Sequence, residues 1–200
     1  MSKNEELKDV FKTKCWNGQV ITDAYQVFAF CFSKAEIAIY RNFIEELILC
    51  SQENVVYNRN EPFDTIVYMK AIRSVILAAE SLKDNKSPIE VSSFEPLDKR
   101  YFLRHSEADV WSSFPRFLSF KEYSDPYLMF QKFFKLECSK DWTKVLKEVM
   151  EFALSIDSVM PVINTIKIYT YLSGLLEAAH LIDLREVVHI GGNLKTKFRK

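Results

Sequence analysis

Residues 64–84, DTIVYMKAIRSVILAAESLKD, are answered 100 positions later by residues 164–183, NTIKIYTYLSGLLEAAHLID. In the first stretch Ile66, Met69, Ile72, Val75, Ile76, Ala79 and Leu82 recur at the three- and four-residue steps of a helix with one apolar face. At the matching positions of the second stand Ile166, Tyr169, Leu172, Leu175, Leu176, Ala179 and Ile182. Both stretches are therefore read as long helices with equivalent buried faces. Helical periodicity alone can bring any two such segments into agreement, so the decision rests on what precedes them.

The preceding segments also recur, at an offset of 102 residues: Asp23, Tyr25, Phe28 and Phe32 meet Asp125, Tyr127, Phe130 and Phe134. Asp23 is placed to cap a helix over AYQVFAFCF, and Pro126 suits the first helical position in the second copy. Farther along, Tyr40, Phe43, Ile44, Leu47 and Ile48 meet Trp142, Val145, Leu146, Val149 and Met150. Ser33 and Glu36 have the S-x-x-E spacing of a capping box, which starts a new helix directly after the previous one. Three helices in the same order predict an all-α, compact helical bundle containing two related three-helix units, residues 23–83 and 125–183.

Joining them is segment 84–124, with Pro88, Pro96 and Pro115 and the aromatics Phe94, Tyr101, Phe102, Trp111, Phe114, Phe117 and Phe120. Leaving that much apolar surface in water costs roughly 25 cal/mol per Å². The segment is expected to fold back over the helices with one or two short helical turns. Each unit alone is a marginal core, so residues 1–200 are read as one helical domain. Before the repeat, residues 4–12 offer a short turn with Leu7, Val10 and Phe11 on its apolar side.

Composition agrees with a packed helical protein. Of the 200 residues, 48% are hydrophobic, including 16 Phe, while 4 Gly and 6 Pro are too few for the many tight turns of an all-β fold. Lys plus Arg and Asp plus Glu are both 27, so no global field draws the chain to nucleic acid or an acidic membrane. The local exception is NLKTKFRK at 193–200, where Lys195, Lys197 and Arg199 form a candidate nucleic-acid contact beside the reading as a solvated terminus. Cys15, Cys31, Cys50 and Cys138 lack disulfide or metal spacing and suit a reducing compartment. With no apolar run of membrane-spanning length and no signal-peptide pattern, a cytoplasmic location without membrane association is expected.

The densest chemical motif is RYFLRH, Arg100 to His105. Its Arg-x-x-x-x-His spacing resembles the motif of HEPN-family helical ribonucleases. The resemblance implies a metal-independent, composite RNA-cleaving site completed by dimerisation. Arg100 would stabilise phosphate charge, His105 would assist proton transfer and Arg104 would help bind. A second run, His180, Asp183, Glu186 and His189, steps by three residues and drifts around half a helix, so it cannot close four ligands on one ion. These residues are read as solvated or capping groups, and no metal is assigned. No G-x-G-x-x-G, P-loop, nucleophile-elbow or HExxH pattern occurs, and no cofactor is expected.

Paired amphipathic helices supply grooves without demanding a catalytic constellation, so the primary reading is a helical protein-interaction or scaffold module. Its partner is another protein or a second copy of the chain. Trp111 and Tyr123 are the aromatic anchors expected to contact it if they are exposed. The alternative is the HEPN-like ribonuclease or an RNA-binding protein.

Overall fold

The computed structural model describes residues 8–53, 55–88, 91, 114–156, 165–190 and 193–195. Among them the regular structure is helical except for two short paired strands. In chain order the elements are α1 (Lys14–Asn17), α2 (Ala24–Lys34), α3 (Ile37–Gln52), α4 (Pro62–Leu82), α5 (Phe120–Ser124), α6 (Tyr127–Leu136), α7 (Ser139–Ala153) and α8 (Thr165–Glu186). Strands β1 (Val188–Ile190) and β2 (Asn193–Lys195) then pair antiparallel.

Helix boundaries follow local chemistry. Asp23 is extended and its carboxylate accepts from the Tyr25 backbone N–H at 2.9 Å, which starts α2. Asp125 accepts likewise from the Tyr127 N–H at 3.3 Å, with Pro126 as the residue that leads into α6. Pro62 opens α4, where its missing N–H is not needed.

The break between α2 and α3 does not use the expected capping box. Ser33 lies inside α2 and its hydroxyl donates to the Phe30 carbonyl at 2.8 Å, while Glu36, at the N-cap of α3, makes no side-chain cap bond. Extended backbone at Ala35 and Glu36 makes the break instead. A complete capping box occurs at Ser119 and Glu122, opening α5.

One cluster of buried side chains runs from Phe11 through α2–α4 and α6–α8 to Leu184. Helices α4 and α8 lie at its centre: α4 packs on α2, α6, α7 and α8, and α8 packs on α2, α3, α4 and α6. Ile66 and Ile166 depart from the expected buried faces, being 42% and 78% exposed. Each lies in the first turns of its helix, so periodicity continues there past the reach of the packing partners. The N-terminal turn is also only partly as expected, with Phe11 buried and Val10 exposed.

The described part of the connecting segment does pack inward. Phe114 and Phe117 lie against Tyr123 and Tyr169, with ring centroids 6.1 and 5.1 Å apart, whereas Phe120 is 41% exposed. Two buried side chains fix its return. The Glu177 carboxylate accepts from the backbone N–H groups of Arg116 at 2.9 Å and Phe117 at 2.8 Å, and from Arg41 Nη1 at 2.7 Å. Arg41 Nη1 also donates to the Phe114 carbonyl at 2.8 Å.

Candidate functional site

The connection from α3 to α4 walls a cleft of about 610 Å³, lined by Tyr57–Ile66 in part and by Met150 and Leu154 at the end of α7. Its wall is fixed to α7 by the backbone: the Tyr57 N–H donates to the Ala153 carbonyl at 2.8 Å. The Tyr57 ring is buried, edge-on to Phe43 at 5.8 Å, and its hydroxyl accepts from Asn60 Nδ2 at 2.6 Å. Burial, reinforced by the nearby Glu46 carboxylate, pushes that hydroxyl up to about 12, so it remains a neutral hydrogen-bonding group near pH 7.

The cleft lining mixes apolar and polar side chains. Ile66 and Leu154 on its lining are 42% and 45% exposed, although both are large aliphatic residues. Next to Pro62, on the same first turn of α4, Phe63 is 75% exposed, and Ile156 just beyond α7 is 61% exposed. Asn58, Arg59, Asn60 and Glu61 supply the polar lining. Arg59 reaches toward Glu46 across 3.9 Å with its side chain 73% exposed, a solvated pair that fixes little. This arrangement suits shape- and anchor-based binding.

Tyr123 is not an exposed anchor. It is 1% exposed, its ring lies 4.4 Å from the Arg185 guanidinium carbon, and its carbonyl accepts from Arg185 Nη1. The ring therefore belongs to the packing between α5 and α8. Trp111, Arg100, Arg104 and His105 lie outside the described residues, as do Lys197 and Arg199. The Lys195 backbone pairs with Val188 between the two short strands.

His180 and Asp183 are buried in α8 where solvated or capping groups were expected, while Glu186 is half-buried and the side chain of His189, in β1, lies outside those described. His180 is 3% exposed and Asp183 fully buried, and the His180 ring packs on Phe32 at 4.8 Å. Glu186 Oε2 accepts from the Tyr127 hydroxyl at 2.6 Å. Tyr127 in turn shares a hydrogen bond with Tyr25, Oη to Oη 3.0 Å, and Asn85 Nδ2 donates to Tyr25 Oη at 3.1 Å. Burial first, then the bond to Glu186, pushes the Tyr127 hydroxyl far up, so it stays protonated and the chain of bonds acts as a structural tie. Among the described residues, no group of three or more His, Cys, Asp and Glu side chains is placed to hold a metal ion.

The cleft lay beyond the sequence reading because Ile66 and Leu154 sit on the same periodic stripes as buried neighbours. The available signal was composition: ENVVYNRNEP places Val, Tyr and Asn together in one connection. Comparison of the chain with protein-family models, with curated proteins and with solved structures finds no match to any of them.

Proposed function

We propose that this chain is a helical protein-interaction or scaffold module, and that the cleft between the α3–α4 connection and the end of α7 is its contact surface. The partner is a peptide segment of another protein that presents apolar side chains between polar flanks. The observation that supports this reading is the placement of half-exposed Ile66 and Leu154 on one cleft that Asn58, Arg59, Asn60 and Glu61 also line. Apolar side chains accompanied by polar ones are ordinary in a protein contact, and about 610 Å³ is room for a few side chains. Among the described residues no helix is long and apolar enough to cross a membrane, which leaves these side chains without a bilayer-spanning explanation.

The test is selection of displayed peptides against the folded chain, followed by affinity measurements on Leu154→Asp and Ile66→Asp. Loss of one buried aliphatic contact is worth about 1.5–3 kcal/mol, or roughly 10- to 150-fold in Kd. Both variants are expected to lose at least the smaller factor while keeping the thermal transition of the parent. Peptide affinities that ignore both substitutions would refute the assignment. A concentration-dependent dimer abolished by Leu154→Asp would make the partner a second copy, and RNA cleavage abolished by His105→Ala would replace the reading with the ribonuclease one.

A further inference from the structure

The contacts of this bundle repeat at a fixed displacement along the chain. Asp23 and Asp125 cap equivalent helices by the same bond to the second residue on, at 2.9 and 3.3 Å. The breaks that follow have the same backbone: Ala35 (φ −153°, ψ 150°) matches Glu137 (φ −149°, ψ 150°), and Glu36 (φ −67°, ψ 156°) matches Cys138 (φ −73°, ψ 167°). Across each break one side chain reaches back to an equivalent carbonyl. Tyr40 Oη donates to Cys31 O at 3.1 Å, and Trp142 Nε1 donates to Phe133 O at 3.2 Å. All these pairs are 102 residues apart, including the donor and acceptor of the last one.

Two other pairs join a position to its own counterpart. Tyr25 meets Tyr127, Oη to Oη 3.0 Å, and Phe28 meets Phe130 with ring centroids 6.0 Å apart. Self-pairing of equivalent residues is what a two-fold axis produces, since each residue on the axis faces its own image. Helix packing has the same reciprocity: α2 with α4 and α6 with α8, α3 with α8 and α7 with α4, α2 with α8 and α6 with α4. Two further contacts, α3 with α7 and α4 with α8, are self-related, as is α2 with α6 through the pairs above.

We infer that residues 23–83 and 125–183 are two copies of one three-helix unit, related by an approximate two-fold axis passing between α2 and α6, so that the chain is a dimer folded within one polypeptide. The partner that fits the inner face of each unit is the other copy of the same unit. This inference is independent of the cleft. Differences between the copies are local and compensated. A Cβ on Gly174 would lie 3.0 Å from Met129 Cε, so glycine makes room for the larger side chain, whereas the equivalent positions carry Ser74 and the smaller Val27. The Arg41–Glu177 pair has no image, because Thr143 and Leu77 stand at the corresponding sites. Symmetry is thus broken where the connecting segment returns to one side only.

Reciprocity of distances in solution tests the two-fold directly. Asn42, Lys144, Ile66 and Ile166 are exposed and form two equivalent pairs, so each accepts a spin-labelled cysteine in the full chain after Cys15, Cys50 and Cys138 are changed to Ser. Pulsed electron–electron distances are then measured across the units, Asn42 to Ile166 and Lys144 to Ile66. The within-unit distances, Asn42 to Ile66 and Lys144 to Ile166, form the second comparison. Each pair of means is expected to coincide. A difference of more than about 5 Å, one helical turn, in either comparison would overturn the inference. Far-ultraviolet circular dichroism shows that each labelled chain is folded.

Discussion

Replacing Arg41 with Met removes the cation that faces Glu177 in the interior, where the two side chains are 4% and 1% exposed. In the parent protein the carboxylate keeps three donors: Arg41 Nη1 and the backbone N–H groups of Arg116 and Phe117. Burial pushes the Glu177 carboxyl above its ordinary value, and the two backbone bonds and Arg41 only partly offset this. In the variant the two backbone donors remain, but the charge is unpaired and the Phe114 carbonyl loses its bond from Arg41. Breaking a buried pair from one side costs about 3–5 kcal/mol.

The pH dependence has a definite sign. A carboxyl whose folded-state pKa is raised binds its proton more tightly in the folded chain, so its contribution is fully present below about pH 4.5 and is lost as pH rises through the folded value. Without Arg41 that loss is larger, because the bond and positive charge that favour the carboxylate are gone. Urea unfolding of Arg41→Met should therefore show a deficit of about 3–5 kcal/mol at pH 7 that shrinks toward pH 4.5. Glu177→Gln places an amide donor against one of its backbone donors and costs about 1–3 kcal/mol, with no comparable pH dependence. An Arg41→Met deficit below about 1 kcal/mol, or one that is flat between these pH values, would refute the assignment of a buried, mutually required pair.

Three further outcomes follow from other parts of the fold. Burial drives the Cys31 thiol up to about 12, so an aromatic disulfide reagent at pH 8 should modify exposed Cys15 and Cys138 promptly and Cys31 only on unfolding. Ser119→Ala removes the box that opens α5 and should cost about 0.5–2 kcal/mol in urea unfolding at pH 7. Burial raises the Glu122 carboxyl, but bonds from Lys132 and Ser119 outweigh it and hold it below 4.5; its contribution is thus present above that pH and falls away as pH drops through the folded value. Gly174→Ala gains about 1 kcal/mol of helix propensity but sets a Cβ 3.0 Å from the flexible end of Met129, so the same change should be more favourable in a Met129→Val background than in the parent; equal effects on the thermal transition in the two backgrounds would contradict this packing.

The long helices were readable because their apolar residues recur with the period of the backbone, and α4 and α8 bury most of that face. Caps were less readable. Ser33–Glu36 and Ser119–Glu122 share one spacing, but Ser33 is helical, whereas Ser119 has the extended φ of −65° and ψ of 164° that lets its oxygen reach the third N–H. That difference is set by where the chain turns, which spacing does not encode.

Burial along α8 was hidden for a related reason. Positions 180 and 183 carry polar letters, yet α8 is enclosed by α2, α3, α4 and α6 and has almost no outer face in its second half. Tyr123 is another case, since the Arg185 that covers it lies 62 residues on in sequence. The cleft was least readable: Ile66 and Leu154 obey helical spacing, and only the ends of the neighbouring helices determine that nothing covers them.

The most direct measurement is amide chemical-shift mapping of a selected apolar-anchored peptide on the isotopically labelled full chain. The largest changes are expected on Tyr57–Ile66, Met150 and Leu154, with Tyr25 of α2 and Tyr127 of α6 unaffected. Saturable changes confined to another face, with the cleft residues silent, would contradict the proposed contact surface.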